Sequence, residues 1–201
     1  KVVGIEPVEL ANGSTVSAVV IENDFQNNWV ELHPAEHPET LTAQELQTIV
    51  REAGIVGMGG ATFPTQVKIT PPKGKTIEKL VINGAECEPY LTADHRLMLE
   101  KPAEIIDGIH LMMLALDVKE AHVGVENNKM DAVEALAAET SDTVCLGVGL
   151  HSGYGAAQRM YVLRGYVPDG SGVWYEGCVW DQYAPCVNDD ELNLFLSKKL
   201  F

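Results

Sequence analysis

The sequence predicts an α/β fold in which an open, mostly parallel sheet follows a small β module. Three short apolar segments have the length and composition of buried strands: residues 80–82, 121–125 and 144–148. Segments with apolar residues at helical spacing follow each of them: residues 102–116, 128–139 and 156–163. Strands that alternate with helices are typical of a parallel sheet, because each helix returns the chain to the edge where the next strand begins.

The first 40 residues are predicted to form a small, partial β module and a linker. Apolar residues alternate with polar or smaller ones over residues 16–20, Asn12-Gly13 indicates a tight turn, and residues 29–32 indicate a further short strand. Residues 33–41 are rich in Pro and Glu and form the linker. The predicted boundaries are 1–40 for the module and linker, 41–182 for the α/β domain and 183–201 for a C-terminal segment of unclear role, whose residues 189–201 are compatible with a short helix.

A helix is predicted to begin after Thr42, because Thr42 and Glu45 have the spacing of a capping box. Gly54 is expected to end this helix in the left-handed conformation. The glycine-rich segment that follows, residues 57–65, is the strongest local signal of a ligand site. Glycines let the backbone approach a flat ring or a phosphate, and successive amides form a concavity that binds anions.

Two common nucleotide-binding motifs do not describe this glycine-rich segment. No Lys-Ser or Lys-Thr pair follows at the position that a P-loop requires. Gly57 and Gly59 fit the start of a dinucleotide fingerprint, but Thr62 occupies the third glycine position and the segment follows a helix rather than a strand. The alternative interpretation is a tight turn between two elements, without a ligand.

A second candidate segment, residues 83–89, follows the strand predicted at 80–82. Ligands of open α/β sheets bind at the carboxyl ends of the strands. Glu86 and Glu88 are suited to hydrogen bonds with ribose hydroxyls, and less to a metal ion because no neighbouring His or Asp completes a coordination shell. Cys87 stands between two carboxylates, which disfavour its thiolate. The alternative interpretation is a solvated acidic loop.

Composition excludes several classes of protein. The chain has 201 residues, of which 14 are Lys or Arg and 29 are Asp or Glu, so its formal net charge is −15. Phosphate backbones and anionic lipid surfaces would repel such a chain, so we expect neither nucleic acid as a partner nor direct membrane insertion. No apolar segment is long enough to span a bilayer. The first residues, Lys1 to Gly4, resemble the middle of a larger protein rather than a signal peptide.

The sequence predicts no metal site. Its four cysteines form no C-x-x-C pair, which excludes zinc-ribbon, thioredoxin-like and ferredoxin-type sites. His33 and His37 have helical spacing, but Pro34 and Pro38 prevent the helix that would align them. The sparse cysteines also indicate a reducing compartment rather than a disulfide scaffold.

Residues 54–68, followed by residues 83–98, resemble the corresponding motifs of the RnfC family, the C subunits of Rnf electron-transport complexes. That family is related to the flavin-binding, NADH-oxidising subunit of respiratory complex I. Residues 5–32 are also similar to the segment that precedes the motifs in RnfC proteins. The resemblance implies that residues 41–182 form a Rossmann-like FMN- and NADH-binding domain of the complex I flavoprotein type.

The resemblance also implies roles for individual residues. The residues implied to bind FMN lie in the glycine-rich segment, shortly after it, or at the strand end: Gly57, Gly59, Gly60, Lys68, Asn83, Glu86 and Cys87. The residues implied to bind NADH are Phe63 in the same segment, Glu88 at the strand end, and Glu126 after the next strand. Lys68 matches a lysine near the FMN phosphate. No side chain is assigned as a catalytic acid, base or nucleophile, because the flavin carries the chemistry.

The implied function is NADH:acceptor oxidation in a membrane-associated, ion-translocating complex. NADH would reduce FMN, and electrons would leave to [4Fe-4S] clusters outside this chain, with ferredoxin as the eventual acceptor. The protein would be cytoplasmic and held on the inner face of the membrane by partner subunits. Two alternatives stay open. One is a soluble relative, such as a cobalamin reductase or the electron-transfer protein of proline reductase. The other is a non-catalytic docking fragment, favoured by the missing cluster ligands and by Asp181, where relatives have an Asn-containing turn at the flavin phosphate.

Overall fold

The computed structural model describes residues 1–58, 61–88 and 90–201. The chain divides into two compact units, Lys1–His37 and Pro38–Phe201. The first unit is an antiparallel hairpin of β1 (Val2–Glu9) and β2 (Thr15–Ile21). Its turn follows the prediction: Gly13 has a positive φ of 79°, and the Asn12 side chain accepts a hydrogen bond of 3.0 Å from the Ser14 amide.

The strand predicted at residues 29–32 does not form. Trp29 and Leu32 are 88% and 74% exposed, so these apolar side chains have no sheet to pack against. A short apolar segment becomes a strand only where another strand is available to satisfy its backbone.

The second unit contains the helices and the remaining strands. Its helices are α1 (Ala43–Glu52), α2 (Thr65–Lys68), α3 (Ala93–Glu100), α4 (Pro102–Leu116), α5 (Met130–Ala138) and α6 (Gly155–Leu163). Its strands are β3 (Leu80–Asn83), β4 (Ala121–Gly124), β5 (Thr143–Gly149), β6 (Val167–Tyr175), β7 (Cys178–Val179) and β8 (Asn193–Lys199). Within the described residues, no helix is both long and apolar enough to cross a membrane.

Local signals place the start and end of α1 as predicted. The Glu45 amide donates to the Thr42 hydroxyl over 3.3 Å, and the Thr42 amide donates to the Glu45 carboxylate over 2.8 Å. These two bonds are the reciprocal pair of a capping box. Gly54 follows with a φ of 67°, in the left-handed region that glycine tolerates.

β3 and β4 form a parallel pair in which Leu80 lies opposite Ala121 and Asn83 lies opposite Gly124. The connection between them contains α3 and α4, as a parallel pair requires. Side chains from β3, α4 and the end of the connection form a buried cluster beneath the strands: Leu80, Ile109 and Val118. This βαβ arrangement fixes the position of the two strand ends.

The remaining four strands form a sheet in the order β5-β8-β6-β7. β8 pairs antiparallel with both β5 and β6, and β7 pairs antiparallel with β6. The α/β class is therefore confirmed, whereas the described strands do not form one mostly parallel sheet. β5 follows a helix as expected, but its partner is β8 rather than β4.

Residues 189–201, whose sequence is compatible with a short helix, instead contain strand β8 at Asn193–Lys199. Leu196 is 3% exposed and packs with Val148 of β5 and Tyr166 in one buried cluster. Residues 183–201 thus include an interior strand of the sheet. Burial between two other strands stabilises this segment as a strand, and that contact is not visible in its local sequence.

Glu134 connects α5 to two other parts of this unit. Its carboxylate accepts hydrogen bonds from Arg164 Nε over 3.2 Å and from Lys198 Nζ over 2.8 Å. Partial burial raises the pKa of the Glu134 carboxyl, but the two cations together hold that pKa below its usual value. The carboxylate therefore stays ionised and ties α6 and β8 to α5.

Replacing Glu134 by Ala is expected to lower the free energy of unfolding by about 2–3 kcal/mol, since it leaves Arg164 and Lys198 without their charged partner. Urea denaturation measures this change. Glu100→Ala is the matched control, because the exposed Arg96–Glu100 pair is expected to contribute less than about 1 kcal/mol. Equal losses for the two variants would contradict the assigned role of Glu134.

Candidate functional site

The candidate site lies where β3 and β4 end. The two strands are parallel, so the segments that follow Asn83 and Gly124 leave the same edge of the pair. In open α/β folds this edge is where ligands bind. Two of the predicted residues, Glu86 and Glu126, are brought together here: the Glu86 amide lies 3.5 Å from Glu126 Oε2.

Glu86 has a buried side chain that is 5% exposed. Its Oε1 accepts a hydrogen bond of 2.9 Å from the Asp94 amide, and its Oε2 accepts one of 3.2 Å from the His95 amide. Both amides belong to the first turn of α3, whose unpaired N–H groups favour a negative charge. Glu86 therefore caps α3 from eight residues upstream, a structural contact that its prediction as a flavin ligand did not include.

Lys129 joins the two strand-end segments. Its Nζ lies 2.9 Å from Glu86 Oε2 and also forms an ion pair with Glu126 Oε2. The Lys129 side chain is 12% exposed. Hydrogen bonds with Glu126 and then Glu86 raise the pKa of Lys129, and the hydrogen bond with Lys129 is the main cause that lowers the pKa of each carboxyl. All three groups are therefore charged at neutral pH.

Lys129 was not among the site residues predicted from the sequence. The available signal was its position three residues after Glu126, because a lysine at that spacing from an acid pairs with it across one turn. Its contact with Glu86 could not be found in this way, since the two residues are 43 positions apart.

The turn after β3 depends on Asn83 and Gly84. Asn83 Oδ1 accepts a hydrogen bond of 3.1 Å from the Ala85 amide, which forms a local side-chain turn. A Cβ at Gly84 would lie 3.1 Å from the Gly124 carbonyl oxygen and 3.2 Å from Met98 Sδ. Only glycine fits this close approach without displacing a neighbour.

Cys87 and Glu88 lie further along this segment, and both are exposed. In contrast to Glu86, Glu88 has no partner for its carboxylate among the hydrogen bonds and ion pairs of the described residues. Its backbone carbonyl accepts a bond of 3.3 Å from the Leu91 amide. The two acids therefore differ in environment, because the Glu86 side chain is buried in the fold and the Glu88 side chain faces solvent.

The glycine-rich segment is closed at its base by backbone hydrogen bonds. The Gly57 amide donates to the Phe63 carbonyl over 2.9 Å, and the Thr65 amide donates to the Ile55 carbonyl over 3.0 Å. The Phe63 side chain is half exposed at 50%. Gly59 and Gly60, which were predicted to bind flavin, lie outside the described residues.

Lys68 lies beside this closed segment. A Cβ at Gly57 would stand only 2.7 Å from Lys68 Nζ, so the absence of a side chain at position 57 makes room for the ammonium. The Lys68 side chain has no acidic partner in the part of the chain that the structure describes. A cation without a partner beside a glycine-rich turn provides the charge that an anionic ligand requires.

A cleft of about 550 Å³ opens beside the segment that follows β4. It is lined by Asn127 and Asn128 and by residues of β5, of α6 and of the turn before α6, including Val148, Met160 and Tyr154. No role in a site was predicted for α6 from the sequence. The cleft has the volume of an ordinary small-molecule site.

The predicted site residues therefore form two groups. One group follows the strand ends: Asn83, Glu86, Cys87, Glu88 and Glu126. The other consists of Gly57 and Phe63 in the glycine-rich segment and Lys68 at the end of α2. No hydrogen bond or ion pair between described residues joins the two groups. Nor does any group of three or more His, Cys, Asp or Glu within the described ranges have an arrangement that could hold a metal ion.

Comparison with known families shows to which family the chain belongs. Residues 50–156 match the family described as the Nuo51 FMN-binding domain. The chain belongs to this family. The matched range contains the glycine-rich segment, both strand ends and the first residues of α6, so it covers all the predicted site residues.

Curated relatives are C subunits of ion-translocating complexes, the class of protein that the two sequence motifs resemble. The C subunit of the proton-translocating ferredoxin:NAD(+) oxidoreductase complex of Clostridium ljungdahlii is 43% identical over 175 residues, which cover 85% of this chain and 38% of that protein. The C subunit of the Na(+)-translocating complex of Acetobacterium woodii is 42% identical over 159 residues, which cover 77% of this chain and 35% of that protein.

A third relative is the C subunit of the ion-translocating oxidoreductase complex of Rhodobacter capsulatus, which is 47% identical over 126 residues, or 63% of this chain and 24% of that protein. The predicted resemblance to the RnfC family is therefore confirmed. The chain spans well under half the length of these relatives. Their names match the electron-transport class predicted from the two sequence motifs.

Proposed function

We propose that this chain is the flavin-binding core of an NADH-oxidising subunit in an Rnf-type ferredoxin:NAD⁺ oxidoreductase complex. The observation that carries the proposal is the Lys68 ammonium, which lies without an acidic partner among the described residues beside the glycine-rich segment of an FMN-binding family. FMN would accept a hydride from NADH and release the two electrons singly to iron–sulfur centres outside this chain.

The described residues fit FMN at the glycine-rich segment. The space that a Cβ at Gly57 would fill holds the Lys68 ammonium, the natural partner of the FMN phosphate. In this proposal Gly57, Gly59 and Gly60 approach the cofactor through their backbone. Asn83, Glu86 and Cys87 border the flavin from the strand end; the carboxylate of Glu86 fixes the segment, and its backbone faces the cofactor.

NADH is proposed to meet Phe63, Glu88 and Glu126. Carboxylates accept hydrogen bonds from ribose hydroxyls, and the Glu88 carboxylate is exposed and available for such a bond. The half-exposed ring of Phe63 offers a flat apolar face to the nicotinamide nucleotide. The cleft lined by Asn127 and Asn128, the two residues that follow Glu126 in the sequence, has room for part of the nucleotide.

The proposed partners are the other subunits of the complex, with ferredoxin as the eventual acceptor. The names of the relatives, which belong to ferredoxin:NAD(+) oxidoreductase complexes, support these partners. We propose that the protein is peripheral on the cytoplasmic face of the membrane and is held there by these subunits.

Visible absorbance of the purified protein tests the proposal directly. FMN is added without oxygen, unbound FMN is removed, and NADH follows. A bound-flavin spectrum that bleaches with NADH is expected. A folded protein that retains no flavin would contradict the proposal and would favour a docking role. Flavin that binds but does not bleach with NADH would contradict the assigned reductant alone.

Replacing Glu88 by Ala is expected to weaken NADH binding about 10- to 100-fold, the effect of losing hydrogen bonds to a charged acceptor, while FMN affinity changes less than about threefold. Stopped-flow bleaching at several NADH concentrations measures the first quantity, and flavin fluorescence quenching measures the second. Glu52→Ala, at an exposed acid on α1, is the matched control. Equal losses of NADH and FMN affinity would show that Glu88 supports the fold of the segment instead.

A further inference from the structure

We propose that Lys129 is a positioning residue of the nucleotide site, which holds Glu126 in place and ionised by pairing it with the fixed carboxylate of Glu86. This inference rests on the proposed function, in which Glu126 contacts NADH. Lys129 itself is not assigned a contact with cofactor or substrate. Its effect passes through the two acids.

Glu86 is held in place by the first turn of α3. Its two carboxylate oxygens accept bonds from the Asp94 and His95 amides, and its side chain is 5% exposed. These bonds tie the carboxylate to the rigid first turn of α3. Glu86 is therefore a fixed anchor for any cation that pairs with it.

Lys129 links Glu126 to this fixed carboxylate. Its ammonium contacts Oε2 of both acids, one from each strand-end segment. A lysine side chain that is 12% exposed loses most of its rotamer freedom, which an isolated surface lysine would keep. Glu126, at 32% exposure, is the member of the three that still reaches solvent and hence a ligand.

Lys129 also offsets part of the negative charge of the two acids. Two carboxylates and one ammonium sum to −1, and without Lys129 the sum would be −2 at a partly buried position. The other titratable residues at this position are Asp94, whose amide donates to Glu86, and the His95–Asp131 pair, whose Nε2 and Oδ1 atoms lie 3.1 Å apart. Across the described ranges, Lys129 is the sole side-chain cation in contact with Glu86 or Glu126. Its loss would raise the pKa of at least one of the two carboxyls.

Lys129→Met tests the inference on the purified protein. The dissociation constant for NADH is expected to rise at least about tenfold, as for loss of one charge-assisted contact, while FMN affinity changes less than about threefold. NADH affinity should also acquire a pH dependence. It should fall as pH drops from about 7 to 5.5, because a carboxyl with a raised pKa becomes protonated there. The parent protein should show no such fall.

Two further variants separate charge from packing. Lys129→Arg retains the cation and should restore both NADH affinity and its flat pH profile. Lys129→Gln retains a hydrogen-bond donor without the charge and should behave as Lys129→Met does, which also covers the case in which the Met variant fails to fold. The matched control is Lys79→Met, since Lys79 pairs with Glu120 over 3.0 Å at the opposite end of the same two strands.

The results distinguish failure of this inference from failure of the proposed function. If the parent protein bleaches with NADH but Lys129→Gln matches Lys79→Met at every pH, the inference is overturned and the proposed function stands. If the parent protein binds no flavin, the proposed function fails. In that case a ¹³C NMR titration of the Glu86 and Glu126 carboxyls tests whether Lys129 keeps Glu126 ionised. If the pKa values of both carboxyls are the same in Lys129→Gln as in the parent protein, the inference is overturned.

Discussion

Replacing Lys68 by Met is expected to weaken FMN binding about 10- to 100-fold, in line with about 1.5–3 kcal/mol for a hydrogen bond to a charged group. The ammonium lies beside Gly57 and has no acidic partner within the described ranges, so the substitution removes a charge that the fold does not use. Thermal stability should therefore change little. Flavin fluorescence quenching measures the dissociation constant.

Riboflavin makes this prediction specific to the phosphate. It carries the same ring and ribityl chain as FMN but no phosphate, so its affinity should be equal in the parent and Lys68→Met proteins. Lys73→Met, at an exposed lysine in the loop after α2, is the matched control and should bind FMN normally. An equal loss of FMN and riboflavin affinity would place Lys68 at the ring or in the fold rather than at the phosphate.

Gly57→Ala tests the close approach of Gly57 and the Lys68 ammonium from the other residue. Its Cβ would meet the flexible end of Lys68 at 2.7 Å and the Phe63 carbonyl oxygen at 3.7 Å, so the ammonium can move aside at little cost to stability. The displaced ammonium should reproduce the FMN-selective loss of Lys68→Met. Gly108→Ala is the control, because a Cβ there meets nothing within 4 Å.

The largest expected loss of stability comes from Leu196→Ala, at about 2–5 kcal/mol. Leu196 is 3% exposed and lies in β8 between β5 and β6, where it packs with Val148 and Tyr166. Truncation there removes apolar contacts and leaves a cavity that the surrounding strands cannot close. Chemical denaturation followed by circular dichroism measures the change.

Leu163→Ala is the matched control for this core substitution. Leu163 ends α6 and is 72% exposed, so its truncation should change the free energy of unfolding by less than about 0.5 kcal/mol. A small effect at Leu196, similar to that at Leu163, would mean that the C-terminal segment is not an interior strand. The comparison therefore tests the sheet order as well as the energy.

The fold could be predicted from the sequence where the determinants are local. The capping box of Thr42 and Glu45 is complete within four residues, and the apolar strand at 80–82 is bounded by the turn at Asn83. β8 could not be predicted, because its strand conformation depends on contacts with β5 and β6 rather than on its own pattern. A short apolar segment fits a helix or a strand equally well until its partner is known.

The candidate site could also be predicted only in part. Glu86 and Glu126 follow the ends of two parallel strands, and that topology alone predicts their proximity. The structural use of the Glu86 carboxylate was not predicted, because it depends on where α3 begins. Lys129 was missed for a related reason, since half of its environment comes from the other strand-end segment.

The central position of β8 has a consequence during protein synthesis. β5 and β6 are made first, but neither pairs directly with the other in the finished sheet. The edge of each strand that pairs with β8 therefore stays unpaired until residues 193–199 have been synthesised and pair with both strands. Unpaired strand edges and exposed apolar side chains make an incompletely folded chain prone to aggregation. The four-stranded sheet of this unit can therefore be completed only after β8 has been made.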